Sequence, residues 1–216
     1  MTKSEHSTTN SVHYPKVFAL TGSIGCGKST ALTEFRRLGA YTLSSDDLAR
    51  ELVQKGSSAL QEIVEAFGEE ILLPTGELDR KRLGAKVFTS PKDKERLEAI
   101  LHPKIRTLSR QRISEAQTCT PPPPVIVYEI PLYFESKLKY PEIDGVIVVY
   151  APEAVCVRRV MERNAISEEE AKQRYSSQID MEEKRKLADF VLTNVREESD
   201  LLEQVRSLYA TLALQH

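Results

Sequence analysis

A chain of 216 residues is long enough for one well-buried core and short for two catalytic domains. Its 40% hydrophobic and 29% charged residues are those of an ordinary globular protein, and a net charge of −2 gives no global field to recruit nucleic acid or an anionic membrane. Cys26, Cys119 and Cys156 are odd in number and scattered, which disfavours a disulfide framework or zinc site and suits a reducing cytoplasm.

Met1 to Tyr14 is polar, holds one lysine and no arginine, and lacks the apolar core of a secretion signal. It reads as a disordered extension ahead of a single domain, residues 15–216. Val17-Phe-Ala-Leu-Thr21 is a short apolar run, the pattern of a buried strand, ended by Gly22. A helix is expected from about Lys28 to Leu38, with Leu32, Phe35 and Leu38 near one face and Gly39 to stop it. A second strand at 41–44 leads into an amphipathic helix carrying Leu48, Leu52 and Val53.

From about 47 to 117 helical periodicity prevails and no strand is convincing. Leu60, Ile63, Val64 and Phe67 form a stripe closed by Gly68; Asp79 is placed to cap a helix holding Leu83 and Val87; Ser90-Pro91 starts another. His102-Pro103 is expected to kink or divide that last helix. The block reads as an all-helical insertion. Pro121 to Pro124 form a stiff connector, after which strands return at 125–128, 145–150 and 190–192, separated by helices at about 152–163 and 168–178. Strands alternating with helices predict an α/β fold: five parallel strands covered on both faces, in three α/β/α layers. No apolar stretch approaches the roughly 20 residues that span a bilayer.

Gly22-Ser-Ile-Gly-Cys-Gly27-Lys28-Ser29 fits the pattern GxxxxGK[ST] between a predicted strand and a predicted helix, the context that gives it a mechanism. Gly25 and Gly27 let the backbone wrap phosphate oxygens with its N–H groups inward, so Gly25, Cys26, Gly27, Lys28, Ser29 and Thr30 are the candidate ATP-binding set. Lys28 would reach the β- and γ-phosphates, and the Ser29 hydroxyl would ligate Mg²⁺.

A phosphate loop alone does not separate a kinase from a GTPase or a motor ATPase. The chain has no N-K-x-D guanine-reading motif, and Val125-Ile-Val-Tyr-Glu129 is an ambiguous match to the metal-binding strand of ATPases. A helical insertion for the acceptor and a lid at about 152–185, with Arg158, Arg159, Arg163 and Arg174, fit a small P-loop kinase. Arg159 and Arg163 lie four apart on one helical face and would clamp a phosphoryl group. Beside Glu162, Glu168 and Glu169 the same charges equally describe a solvated face, and the residues leave both readings open. Asp46 is similar: it stands past a strand end, where ligands gather, yet with Asp47 it also opens a helix, where acids suit the dipole.

Taken in order, these segments resemble the dephospho-coenzyme A kinase family over nearly all the chain after Pro15. Thr21 to Thr30 is similar to its phosphate loop, Ser44-Ser-Asp-Asp-Leu-Ala-Arg50 to its D-x-D-x-[IV]-A-R segment, and Leu78-Asp-Arg80 with Val87-Phe88 to its L-x-R…[VI]-F stretch. Leu101-His-Pro103 resembles its L-H-P motif, Ile130-Pro-Leu-Tyr-Phe-Glu135 its P-L-[LIV]-[FV]-E segment, and Glu182 to Asp189 its E-x-K…A-D run. The resemblance implies ATP-dependent phosphorylation of the ribose 3′-hydroxyl of dephospho-coenzyme A, with ATP, Mg²⁺ and that acceptor as the only partners implied and no membrane or nucleic acid. It implies Asp46 as catalytic carboxylate beside Lys28, Arg159 and Arg163, and Arg80, His102 and Glu135 as acceptor-binding residues. Ser44 stands where the family usually has its first Asp, Tyr133 replaces an aliphatic residue, and Asp180 stands where proline is frequent, which would loosen the end of the lid.

Overall fold

The computed structural model describes residues 14–136 and 138–214, so the expected N-terminal extension, Tyr14 apart, lies outside the described residues. β1 (Val17–Thr21), β3 (Ile126–Glu129) and β4 (Gly145–Tyr150) are buried along almost their whole length, as strands covered on both faces must be. They form the middle of a five-stranded, fully parallel sheet in the order β2-β3-β1-β4-β5. The less buried β2 (Tyr41–Ser44) and β5 (Phe190–Thr193) are its edges.

From β1 the chain crosses through α1 (Lys28–Arg37) to the edge strand β2, then returns in the opposite direction to β3. Right-handed crossovers of opposite direction place their helices on opposite faces. Accordingly α1 packs beside the C-terminal α9 (Glu198–Ala213). On the other side α5 (Pro91–Thr118) contributes Ile113 and Ala116 to the main core, and its Ser109 meets the hydroxyl of Tyr128. This gives the three layers expected. Because the chain leaves β1 one way and β3 the other, a crevice opens between the carboxyl ends of these adjacent strands.

The connection from β2 to β3 holds α2 (Ser45–Leu52), α3 (Ser58–Phe67), a 3-10 turn Glu69–Ile71, α4 (Arg80–Thr89) and α5. Three of its helices are started by side-chain caps: Ser57 accepts from Leu60 N–H, Asp79 from Arg82 N–H and Ser90 from Asp93 N–H. Val53, Ile63, Phe67, Ile71 and Leu83 form a second, smaller core there. Pro103 does not divide α5, which runs unbroken for 28 residues. Leu97, Ile100 and Leu101 on one side of the proline belong to the small core, and Ile105, Leu108 and Ile113 on the other to the main one. Packing on both sides offsets the missing N–H at Pro103, a loss of about 3 kcal/mol in an isolated helix.

Between β4 and β5 come α6 (Glu153–Asn164), α7 (Glu168–Ser176) and α8 (Met181–Lys186). Asp180 does not loosen this region: its carboxylate accepts from Glu182 and Glu183 N–H and caps α8. Tyr133 is accommodated by packing, edge-on to Phe134 and stacked on Tyr140.

The α1–α9 contact is fastened by Glu34, whose side chain is only 5% exposed. Its carboxylate meets Arg37 and Arg206 Nε at 2.7 Å each. The bond from Arg37 outweighs the cost of burial and, with Arg206, holds the Glu34 carboxyl down at about 2, from an ordinary 4.5. A depressed carboxylate stabilises the fold above its unfolded pKa and loses that contribution as pH falls through the folded one. Glu34→Gln is therefore expected to lower the melting temperature by a few degrees at neutral pH, and the gap to the wild type should shrink as pH falls from 4.5 towards 2. Thermal melts of both proteins across that range check it; a gap independent of pH would show that the charge is not what stabilises the contact.

Candidate active site

The loop from Gly22 to Gly27 joins β1 to α1 at the crevice. Gly27 is the N-cap of α1 with φ 105°, a left-handed conformation that favours glycine, and a Cβ there would collide with the amide nitrogen of Asn194. Gly25, at φ 80°, presses its back on α6, where a Cβ would lie 2.5 Å from the Cys156 carbonyl oxygen. The glycines thus serve curvature and close support together. The first turn of α1 carries neither a capping side chain nor an acidic residue. Its N–H groups and the positive end of its dipole are left for an anion.

Lys28 Nζ donates to the carbonyls of Gly22 and Ser23 at 2.9 and 3.1 Å, so its ammonium lies over the loop. Ser29 is exposed and Thr30 half-buried in the same turn. Cys26 is fully buried, and its carbonyl accepts from Asn194 Nδ2 at 2.8 Å. Asn194 Oδ1 in turn accepts from Arg159 at 3.2 Å. Ile24 N–H donates to Gln178 Oε1 at 2.9 Å, while the Ile24 side chain joins the small apolar group of Val157, Val160 and Ala171. The loop is therefore braced by the end of β5, by α6 and by the residue leading into α8.

Of Arg158, Arg159, Arg163 and Arg174, only Arg159 is linked to the loop by described hydrogen bonds, and the link runs through Asn194. Arg163 is exposed and donates to Asn164 beside it at 2.9 Å; Arg174 pairs with Glu170 at 2.6 Å; Arg158 is exposed. Glu170 thus gives its carboxylate to Arg174, while its N–H donates to the Ser167 hydroxyl that caps α7. Arg159 Nη1 is buried without a partner.

Opposite the loop stand the ends of β2 and β3. Asp46 and Asp47 are exposed in the first turn of α2, and Asp47 is paired with Arg50 at 2.9 Å. Glu129, the last residue of β3, is the acid that sequence reasoning left ambiguous. Burial pushes its carboxyl up, the charge of Lys28 and a hydrogen bond from Ser44 pull it down, and Asp46 and Asp47 push it up again. These five side chains share one electrostatic neighbourhood at the crevice. Arg80 and His102 are exposed on α4 and α5, two helices packed against each other. Glu135 is engaged within the protein: Oε1 meets the fully buried Lys184 Nζ at 2.7 Å and accepts Ile179 N–H at 3.0 Å. Asn194 and Gln178 act on partners far away in sequence, and of the residues without an assigned role only Glu129 had a local signal, an acid ending an apolar strand.

Chemically, a backbone cradle with one lysine faces carboxylates across a strand-end crevice. That arrangement suits a nucleoside triphosphate on one side and a hydroxyl acceptor on the other. The sequence model of the dephospho-CoA kinase family matches residues 16–200. The chain is 41% identical over 191 residues to the dephospho-CoA kinase of Enterococcus faecalis, covering 88% of this chain and 94% of that one. It is 42% identical over 194 residues to that of Geobacter sulfurreducens, covering 90% and 97%. The solved structure of dephospho-CoA kinase from Campylobacter jejuni superposes with a TM-score of 0.67 at 34% identity, covering 92% of this chain and 97% of that one. On its sequence and its fold, the chain belongs to the dephospho-CoA kinase family.

Proposed function

We propose that this chain catalyses the reaction of its family, transferring the γ-phosphoryl group of ATP to the ribose 3′-hydroxyl of dephospho-coenzyme A, with coenzyme A and ADP as products. The observation that carries the reading is the uncapped, acid-free N-terminus of α1 with Lys28 at the switch point of the sheet, where the charges of Lys28 and Asp46 both act on Glu129.

The cradle N–H groups and Lys28 bind the β- and γ-phosphates, which moves the ammonium off the Gly22 and Ser23 carbonyls it now contacts. Asp46, exposed at the start of α2, orients the attacking hydroxyl or takes its proton. Arg159 reaches the site through its unpartnered Nη1, while Asn194 fixes the other end of its guanidinium. Arg163, exposed at the end of α6, joins only if the lid of residues 152–185 closes further. Arg80 and His102 form the acceptor side. Glu135 supports it from behind, holding the segment after β3 to α8 through Lys184.

The Ser29 hydroxyl and the Asp46 and Glu129 carboxylates are hard oxygen donors, the class that Mg²⁺ takes alongside phosphates. Bound there, Mg²⁺ would supply neutralisation of charge on the transferring group. No helix among the described residues is long and apolar enough to cross a membrane. The three cysteines are free, as in a reducing cytoplasm, where we place the enzyme.

The direct test is ADP release from ATP with and without dephospho-coenzyme A, with coenzyme A identified as product; turnover indifferent to that acceptor would sink the reading. Lys28→Ala should lower kcat by about 100-fold or more. Asp46→Asn should lower kcat by about 100-fold or more while leaving ATP affinity within about threefold, measured by calorimetry beside steady-state kinetics. His102→Ala should raise the acceptor KM by about tenfold with kcat little changed; an unchanged KM would return His102 to a structural role.

A further inference from the structure

The loop between Gly22 and Gly27 has little shape of its own. Gly22, Gly25 and Gly27 all have positive φ, and a glycine backbone is equally free to leave that region. Among the described residues, a single backbone-to-backbone hydrogen bond closes within the loop, from Cys26 N–H to the Ser23 carbonyl at 3.3 Å. Lys28 Nζ holds the Gly22 and Ser23 carbonyls, but it is the group that phosphate would draw away. The restraints that remain meet the loop on either side of Gly25. Asn194 Nδ2 donates to the Cys26 carbonyl at 2.8 Å, and Gln178 Oε1 accepts Ile24 N–H at 2.9 Å. Gln178 is half-buried in the link between α7 and α8, and that link is itself fixed. Gln178 N–H donates to the Tyr175 carbonyl at 3.1 Å, and Ile179 N–H donates to Glu135 Oε1 at 3.0 Å. The same Glu135 oxygen meets the fully buried Lys184 Nζ at 2.7 Å. The Ile24 side chain has its own anchor among Val157, Val160 and Ala171. Without the Gln178 carbonyl, Ile24 would stay seated while its peptide plane became free to turn.

We propose that Gln178 is a positioning residue for phosphoryl transfer: its side-chain carbonyl fixes the Ile24 peptide beside Gly25, and with it the curvature of the cradle that receives the triphosphate. Glu135 fixes Gln178 in turn, through Ile179. The inference rests on ATP being the donor, as read above. With the restraint in place, the loop meets the triphosphate already curved. Without it, part of the binding energy goes into ordering the loop. Gln178 makes no described hydrogen bond to α4 or α5, where Arg80 and His102 stand, so the loss falls on the nucleotide and not on the acceptor. A residue that only fastened α7 to α8 would show the opposite pattern, a lower melting temperature with nucleotide affinity intact.

The test compares the full wild-type chain with Gln178→Met, which keeps the length of the side chain and removes its acceptor. A second variant, Glu135→Leu/Lys184→Met, removes the buried pair and the acceptor of Ile179 N–H together. Calorimetric titration should show Gln178→Met binding Mg·ATP about three- to tenfold more weakly, the range expected for one hydrogen bond, with the acceptor KM within about twofold of wild type. The Ile24 amide, followed by NMR, should exchange with deuterium about tenfold faster or more. The pair variant should weaken Mg·ATP to a similar extent, and adding Gln178→Met to it should cost less than about twofold more, because both changes act on one restraint. Mg·ATP affinity in Gln178→Met equal to that of wild type overturns the proposal. So does a loss shared equally by nucleotide and acceptor, or full additivity with the pair variant. Should melting curves show that the pair variant does not fold, the affinity and Ile24 exchange of Gln178→Met decide alone. Those two readings need no acceptor. Mg·ATP binding without dephospho-coenzyme A-dependent turnover in the wild type would therefore count against the proposed reaction and not against Gln178.

Discussion

A phosphate-binding loop has to leave its N–H groups unpaired and facing inward, and a loop that does not satisfy its own donors cannot hold its own shape. Everything around the crevice answers that constraint. The curvature comes from Gly25 and Gly27, whose left-handed backbone leaves no room for a Cβ on the outer side. The outer side is then filled: the Cys156 carbonyl lies behind Gly25, and Asn194 behind Gly27, with a hydrogen bond to the Cys26 carbonyl. Ile24 N–H is taken by Gln178 and Cys26 N–H by the Ser23 carbonyl, while no side chain caps the first turn of α1. The loop is shaped from behind by residues that follow it by more than a hundred positions, so the sheet must be complete before the cradle exists.

That dependence explains what could be read from the sequence and what could not. The strands, the loop pattern and the caps Asp79 and Ser90 are local signals, governed by residues within four positions of each other, and all took their expected form. Pro103 misled because a proline in a helix is a local cost, whereas the two cores that hold α5 on either side of it are a tertiary gain. Arg159 and Arg163 are equivalent by helical period. They differ because Asn194, just after β5, meets only the first. Glu135 could be recognised by its motif, but not its buried partner Lys184, since a lysine among charged neighbours reads as a surface residue.

The two helices that open onto the crevice have opposite electrostatic characters. The first turn of α1 has no acid, and the first turn of α2 has two. Each N-terminus carries the same partial positive charge. In α2, Asp46 and Asp47 answer it from within the chain; in α1 it is left for the ligand. One helix end is therefore open to an anion and the other presents carboxylates.

The buried pair of Glu135 and Lys184 joins this site to the connection between β4 and β5. Taking two charges out of water costs several kcal/mol per ion, so such a pair is a poor source of stability compared with apolar packing. It is, however, directional. The same Glu135 oxygen also holds Ile179 N–H, which fixes the chain between Gln178 and the Asp180 cap of α8. Gln178 is the residue that braces Ile24 in the phosphate loop. A path of direct contacts thus runs from the segment after β3, through Glu135 and Ile179, to the back of the cradle. An apolar pair at 135 and 184 would pack as well, but it would leave the Ile179 N–H without its acceptor and the position of Gln178 undefined. The pair is better understood as fixing the position of Gln178 behind the cradle than as holding the fold together.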